Sequence, residues 1–296
     1  MTTVASKVGS GRYIYELIQD WAKLPARQSF GTVSAVTTDS KDRVYVFQRK
    51  DPPVRVFNRD GKHLRSWGTG IISDPHGINI KDDIVYLTDR ADHVALKFTL
   101  EGKPLQVLGN RGVFSDTGCE KPGDLCPRAA GPFNYPTELV VSPSGDLYVS
   151  DGYRNARVHR FAKDGRLITS WGAPGKTQPN QFHLPHSLCV DDDGRVYVCD
   201  RENSRIQVFM ADGSFVAMWT DLHRPTDISM DKEGNVYVSE VAVSGSAPRI
   251  SVLDKQGRVL ARWNSRSAHG LWADAHGDIY LALTGDKSVD KYVRQR

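Results

Sequence analysis

The sequence predicts an all-β fold, a six-bladed β-propeller, on three observations. One strand motif occurs six times, its spacing suits propeller blades, and a strand at the amino end complements a last repeat that stops short. The six copies are DRVYVFQR (42–49), DIVYLTDR (83–90), DLYVSDGY (146–153), RVYVCDR (195–201), NVYVSEV (235–241) and DIYLALT (278–284). Their tyrosines, Tyr45, Tyr86, Tyr148, Tyr197, Tyr237 and Tyr280, are separated by 41, 62, 49, 40 and 43 residues. An apolar strand and an Asp/Gly turn precede each copy, as in SLCVDDDGRVYV, and a third and fourth strand follow, as in RIQVFMADG and SFVAMW. Each unit therefore reads as a four-stranded antiparallel blade. The last copy ends after its third strand, SVDKYV (288–293), and RYIYELI (12–18) is predicted to supply the missing one. That closure removes the free edge of an open sheet.

Composition fits one domain spanning 1–296. With 39% hydrophobic residues the 296-residue chain can bury a large core. The 62-residue gap holds an insertion, 110–136, too rich in Gly, Pro and charge for a blade, and a long loop near the mouth is expected. The net charge of +4 is spread through the repeats, with no basic stripe, so no nucleic-acid partner is expected. No apolar run approaches the ~18 residues of a spanning helix, so no membrane partner is expected either. The amino-terminal MTTVASKVGSGRYIYE has no apolar core before a cleavage site, which predicts a cytoplasmic protein. Cys119 and Cys126 share a loop and are close enough in sequence to pair. Cys189 and Cys199 sit in two strands of one hairpin, and all four are read as reduced structural thiols.

The chemistry emerges from repeat register. Counting back eleven residues from the repeat tyrosine gives Ser34, Thr137, His186, Thr226 and His269; counting ten in blade two, for a shortened turn, gives His76. This position opens the innermost strand, so the three histidines lie on alternate blades and converge on the axis. Neutral imidazoles from three sides suit Zn²⁺ or another divalent transition metal, with a fourth position open for water or substrate. The start of the first strand and the end of the second share a face. Arg49, Arg90 and Arg201 stand four positions past their tyrosines, and Tyr153 five past its own. Guanidinium forks bind carboxylates, and a phenol beside a cation can act as a general base. An anionic small-molecule substrate is expected. DDDG (191–194) lacks the later acid of a calcium loop and reads as a hairpin turn. Trp67, Trp171, Trp219 and Trp263 recur in fourth strands and read as blade packing.

The motifs PHGINI, PTELVV, SDGYRNAR, QFHLPHSLCV and DRENSRIQVF resemble the lyase domain of peptidylglycine α-amidating enzymes, an NHL-type six-bladed propeller, over nearly the whole chain. The resemblance implies cleavage of a carbinolamide of the peptidyl-α-hydroxyglycine type to an amide and glyoxylate. It also implies zinc on His76, His186 and His269, a base at Tyr153, and catalytic arginines at Arg49 and Arg201. Arg90 has no counterpart in that family and remains a candidate for substrate choice or for a surface ion pair. A structural calcium of the family is held by two carbonyls, here Val36 and Ile78, and by an aspartate, where this chain has Gly270. The third histidine motif also departs, from a Met-Pro-His type to SAHGLW (267–272), and the family's disulfide cysteines have no counterparts at the matching positions. The copper monooxygenase that makes hydroxyglycine in that family is not part of these 296 residues, and a small carbinolamide is the expected substrate. Two other functions fit a propeller: a metal-dependent hydrolase such as a lactonase, which would be expected to use Asp, Glu and Asn around calcium, and a non-catalytic NHL scaffold with a basic or aromatic top face.

Overall fold

The structure is a computed structural model that describes residues 7–295; the first six residues of the expected 1–296 propeller, and residue 296, lie outside the described residues. Six antiparallel sheets form the blades, and in five of them four consecutive strands pair in chain order. Blade one, for example, runs Val33–Thr38, Val44–Gln48, Val54–Phe57 and His63–Trp67. The sixth sheet carries Gly270–Ala273, Ile279–Leu283 and Ser288–Arg294, and is completed by Tyr13–Ile18. Tyr15 pairs with Arg294 and Ile18 with Lys291, so the expected amino-terminal closure is present. A fifth strand, Lys7–Ser10, adds outside it. Among the described residues no helix is long and apolar enough to cross a membrane.

The second strands are buried along their whole length in blades one, three, four, five and six, because neighbouring blades cover both faces. In blades one, four and five their tyrosines run to the aspartates of the hairpin turns. Tyr197 Oη donates to Asp191 at 2.9 Å, Tyr237 to Asp231 at 3.0 Å and Tyr45 to Asp39 at 3.2 Å. Asp191 also accepts the amides of Asp193 and Arg195, so DDDG is a self-satisfied turn as expected. The fourth-strand tryptophans dock against the next blade. A Cβ at Gly213, which has φ +91°, would lie 2.9 Å from Trp171, and one at Gly257, with φ +80°, would lie 2.5 Å from Trp219. Any side chain there would separate two blades.

One irregularity positions the site. In blades one, three, four and five the first ladder slips by one residue, leaving Ser34, Thr137, His186 and Thr226 as the extra residue. In blade two, His76 and Gly77 fall opposite the single Thr88. Such bulges re-aim a side chain out of the regular alternation. Blade two turns in two residues, Asp82 and Asp83, at φ +51° and +56°. The shortened turn explains why its histidine is one residue nearer its tyrosine. The insertion forms no strand before Pro136, but it is fastened to blade three through Gly123 N–H to Tyr153 O at 2.6 Å.

Candidate active site

His76, His186 and His269 meet on the axis, with ring centroids 4.6 to 4.8 Å apart and ligand nitrogens within 4.8 Å of one another. Each Nδ1 faces a backbone carbonyl of the following blade: Thr137 O at 2.7 Å, Thr226 O at 2.5 Å and Ser34 O at 2.8 Å. A carbonyl only accepts, so each Nδ1 carries the proton and each Nε2 keeps its lone pair. The Nε2 atoms of His76 and His269 are buried with no partner, and that of His186 accepts from Tyr153 Oη at 3.1 Å. Burial first, then the neighbouring imidazoles for His76 and the neighbouring arginines for His186 and His269, holds His76 and His186 well below the ordinary imidazole range and His269 at about 3.

The intervening ring residues serve this arrangement. Thr137 Oγ1 donates to Pro185 O at 2.9 Å and Thr226 Oγ1 to Ala268 O at 3.0 Å, fixing the residue before His186 and the residue before His269. Ser34 Oγ turns back to Phe47 O at 3.3 Å. The ring therefore alternates imidazoles with the carbonyls that orient them, a pattern that metal-binding histidines share. Three converging neutral nitrogens, two of them with orphaned lone pairs, fit a divalent ion of the zinc type.

Calcium does not fit in the same way. At Gly270 even a Cβ would lie 2.8 Å from both Ser34 O and Ala35 Cα, which leaves no space for an aspartate beside Val36 and Ile78. The carboxylates beneath the histidines are Glu138 and Asp227, each one residue past a ring threonine. Glu138 fits because blade two has Gly77 there, where a Cβ would lie 2.3 Å from the carboxylate. Burial pushes Glu138 well above the carboxylate range and Asp227 up to about 6. Sequence reasoning missed both, since they occupy strand positions read as packing.

Above the histidines the three arginines and Tyr153 come together. Arg49 Nε and Arg90 Nε share Asp74, at 3.0 and 2.8 Å, and Arg201 Nε binds Glu202 at 2.9 Å. Each guanidinium is thus tethered by Nε, and its terminal nitrogens are left to other partners. Arg201 Nη1 donates to Tyr153 Oη at 3.3 Å, and Arg49 Nη2 is buried without a partner. Arg90 stacks over the Tyr153 ring at 4.6 Å and Arg201 at 5.4 Å. Arg224, also on Glu202 at 2.7 Å, adds a fourth cation. Asp74, Glu202 and Arg224 were not singled out from sequence. Their only signal was adjacency, Asp74 two residues before His76, Glu202 one after Arg201, and Arg224 one before blade five.

The fold and this site define a six-bladed NHL-repeat propeller with a tri-histidine axial centre under a basic mouth. The NHL repeat model matches residues 133–161 and 182–209. Human NHL repeat-containing protein 3 is 32% identical over 95% of this chain and 85% of that protein, and the chain belongs to its family. A similar relative is the Drosophila melanogaster peptidyl-α-hydroxyglycine α-amidating lyase 1, 32% identical over 52% of this chain, which spans only 29% of that protein. A streptogramin B lyase structure matches with a TM-score of 0.66 at 13% identity, covering 95% of this chain and 98% of that one, which establishes the shared fold.

Proposed function

We propose that the chain is a metal-dependent lyase that cleaves the C–N bond of a small anionic carbinolamide, of the N-acyl-α-hydroxyglycine type, to an amide and glyoxylate. The observation that carries this is the Tyr153 hydroxyl, placed between His186 Nε2 at 3.1 Å and Arg201 Nη1 at 3.3 Å, at the one point where the tri-histidine centre meets the basic mouth. His76, His186 and His269 would hold Zn²⁺ or a similar ion, which supplies Lewis acidity that lowers a hydroxyl pKa. With His186 Nε2 engaged by the ion, Tyr153 would release its own proton to solvent and act as the phenolate that takes the substrate hydroxyl proton, with Arg201 and Arg90 beside it as counter-cations. The C–O bond becomes a carbonyl as the C–N bond breaks, and the proton on Tyr153 passes to the departing nitrogen. Nothing else is consumed. The free nitrogens of Arg49 and Arg201 hold the substrate carboxylate. Similarity to the amidating lyase supports the same reaction class.

The test combines metal analysis with glyoxylate release from α-hydroxyhippurate. His186→Ala should lose metal and activity together. Tyr153→Phe should keep the metal while turnover falls by about 10²-fold or more. Metal-free wild-type protein, or full turnover in Tyr153→Phe, overturns the proposal.

A further inference from the structure

The insertion carries two thiols for which the proposed reaction has no use. Cys119 and Cys126 are buried, free and seven positions apart in the mouth loop. Both sulfurs converge on one acceptor, the Asp124 carbonyl, at 3.8 and 3.9 Å. Between them Lys121, Pro122, Asp124 and Leu125 are exposed, so a local opening of the loop admits a small reagent without disturbing a blade. Cys189 and Cys199 differ: they face Tyr197 and Ser187 across their ladder, and the blades enclose them.

The stretch holding the pair rests on the residues that place Tyr153. Gly123 N–H donates to Tyr153 O at 2.6 Å, and Gly123 O accepts from His183 Nε2 at 3.1 Å, three residues before His186. Thr117 Oγ1 donates to Arg154 O at 2.6 Å, and the Arg154 guanidinium returns a hydrogen bond to Glu120 O. We propose that Cys119 and Cys126 are a disulfide-forming site whose cross-link clips the mouth loop onto the Tyr153–Arg154 backbone. The oxidant is a small-molecule disulfide. One cysteine thiolate attacks it and displaces one thiol, and the second cysteine attacks the mixed disulfide and displaces the other. The protein loses two protons and two electrons, and the reagent gains both. The cross-link depends on loop geometry alone and stands or falls independently of the lyase reaction.

The experiment incubates the full chain with glutathione disulfide or with dithiothreitol, blocks free thiols with N-ethylmaleimide under denaturing conditions, and maps the peptides by mass. The expected oxidised product is about 2 Da lighter before blocking, with Cys119 joined to Cys126 and both Cys189 and Cys199 blocked. Proteolytic nicking within 117–128 should slow about tenfold on oxidation, and not in Cys126→Ser. Four blocked thiols after oxidation, a glutathione adduct that persists on Cys119, or unchanged nicking in the cross-linked chain would each overturn the proposal.

Discussion

At the scale of single residues, the site is built by carboxylates that the repeat pattern does not announce. Asp74 pairs with both Arg49 and Arg90 at their Nε atoms, so Asp74→Asn weakens the hold on two guanidiniums at once, Arg49 keeping only its Nε hydrogen bond to Pro75 O. The expected result is a KM raised about tenfold with metal content unchanged, measured by steady-state glyoxylate release and metal analysis. The histidines were legible because they fill a position that six repeats define. Asp74 and Glu202 were not, because an ion pair forms across loops whose approach no repeat fixes. Asp227 gives a pH test. Its carboxyl is raised to about 6 from 3.8, so between those values the folded state binds more protons than the unfolded state. Stability from this group therefore falls as pH rises through that window. Asp227→Asn removes the effect; its one carbonyl oxygen can still accept from Leu271 N–H, while its Nδ2 donates to Ser187 Oγ. Urea unfolding at pH 4.5 and 7 should show the variant gaining on wild type at the higher pH, by on the order of 2 kcal/mol. No relative change between the two pH values would show that the carboxyl is already ionised at pH 4.5.

At the scale of elements, blade six shows what periodicity can and cannot predict. RYIYELI alternates, and Tyr13 and Tyr15 are both buried, so its strand was visible. Lys7–Ser10 was not: its sequence KVGS has no alternation, and its Gly9 sits at φ +94°. The parallel pair Ala173–Pro174 with Gln181–Phe182 was likewise hidden, being two residues long on each side. The bulges escaped notice for a different reason, since they preserve strand composition and alter only which side chain faces the axis. Tyr15 stacks on Trp263 at 5.1 Å, joining the closing strand to blade five as well as to its own sheet. Tyr15→Ala should therefore cost about 3–5 kcal/mol in denaturant unfolding. Deleting residues 1–20 exposes the edge of Ser288–Arg294 and the cluster around Tyr292, and should yield aggregating protein without a cooperative transition. A truncated chain that melts like wild type would show that blade six closes without its amino-terminal strands.

At the scale of the whole molecule, the alternation of the axial ring links binding to ring closure. His76, His186 and His269 belong to blades two, four and six, and each is oriented by a carbonyl of blade three, five or one. A bound ion would thus join three blades directly and the other three through one hydrogen bond each. Without it, three neutral imidazoles stand together with lone pairs facing inward, two of them unpartnered, above a pair of buried carboxyls. An ion that binds only the folded ring stabilises it by mass action, about 2.7 kcal/mol at a free concentration a hundred times its Kd. For a chain of this length that corresponds to a rise in Tm on the order of 5 °C. Dialysis against a zinc chelator should lower Tm by that amount in one cooperative step, and zinc should restore it. His76→Ala, His186→Ala and His269→Ala should each abolish the response to a similar degree, because each presents one Nε2 to the axis and is held by one carbonyl of the next blade. SAHGLW departs from the family motif, yet His269 keeps the same carbonyl partner geometry as the other two, so no weaker effect is expected there. A Tm indifferent to chelation in protein shown to have held zinc would mean that the blades close without help from the ion.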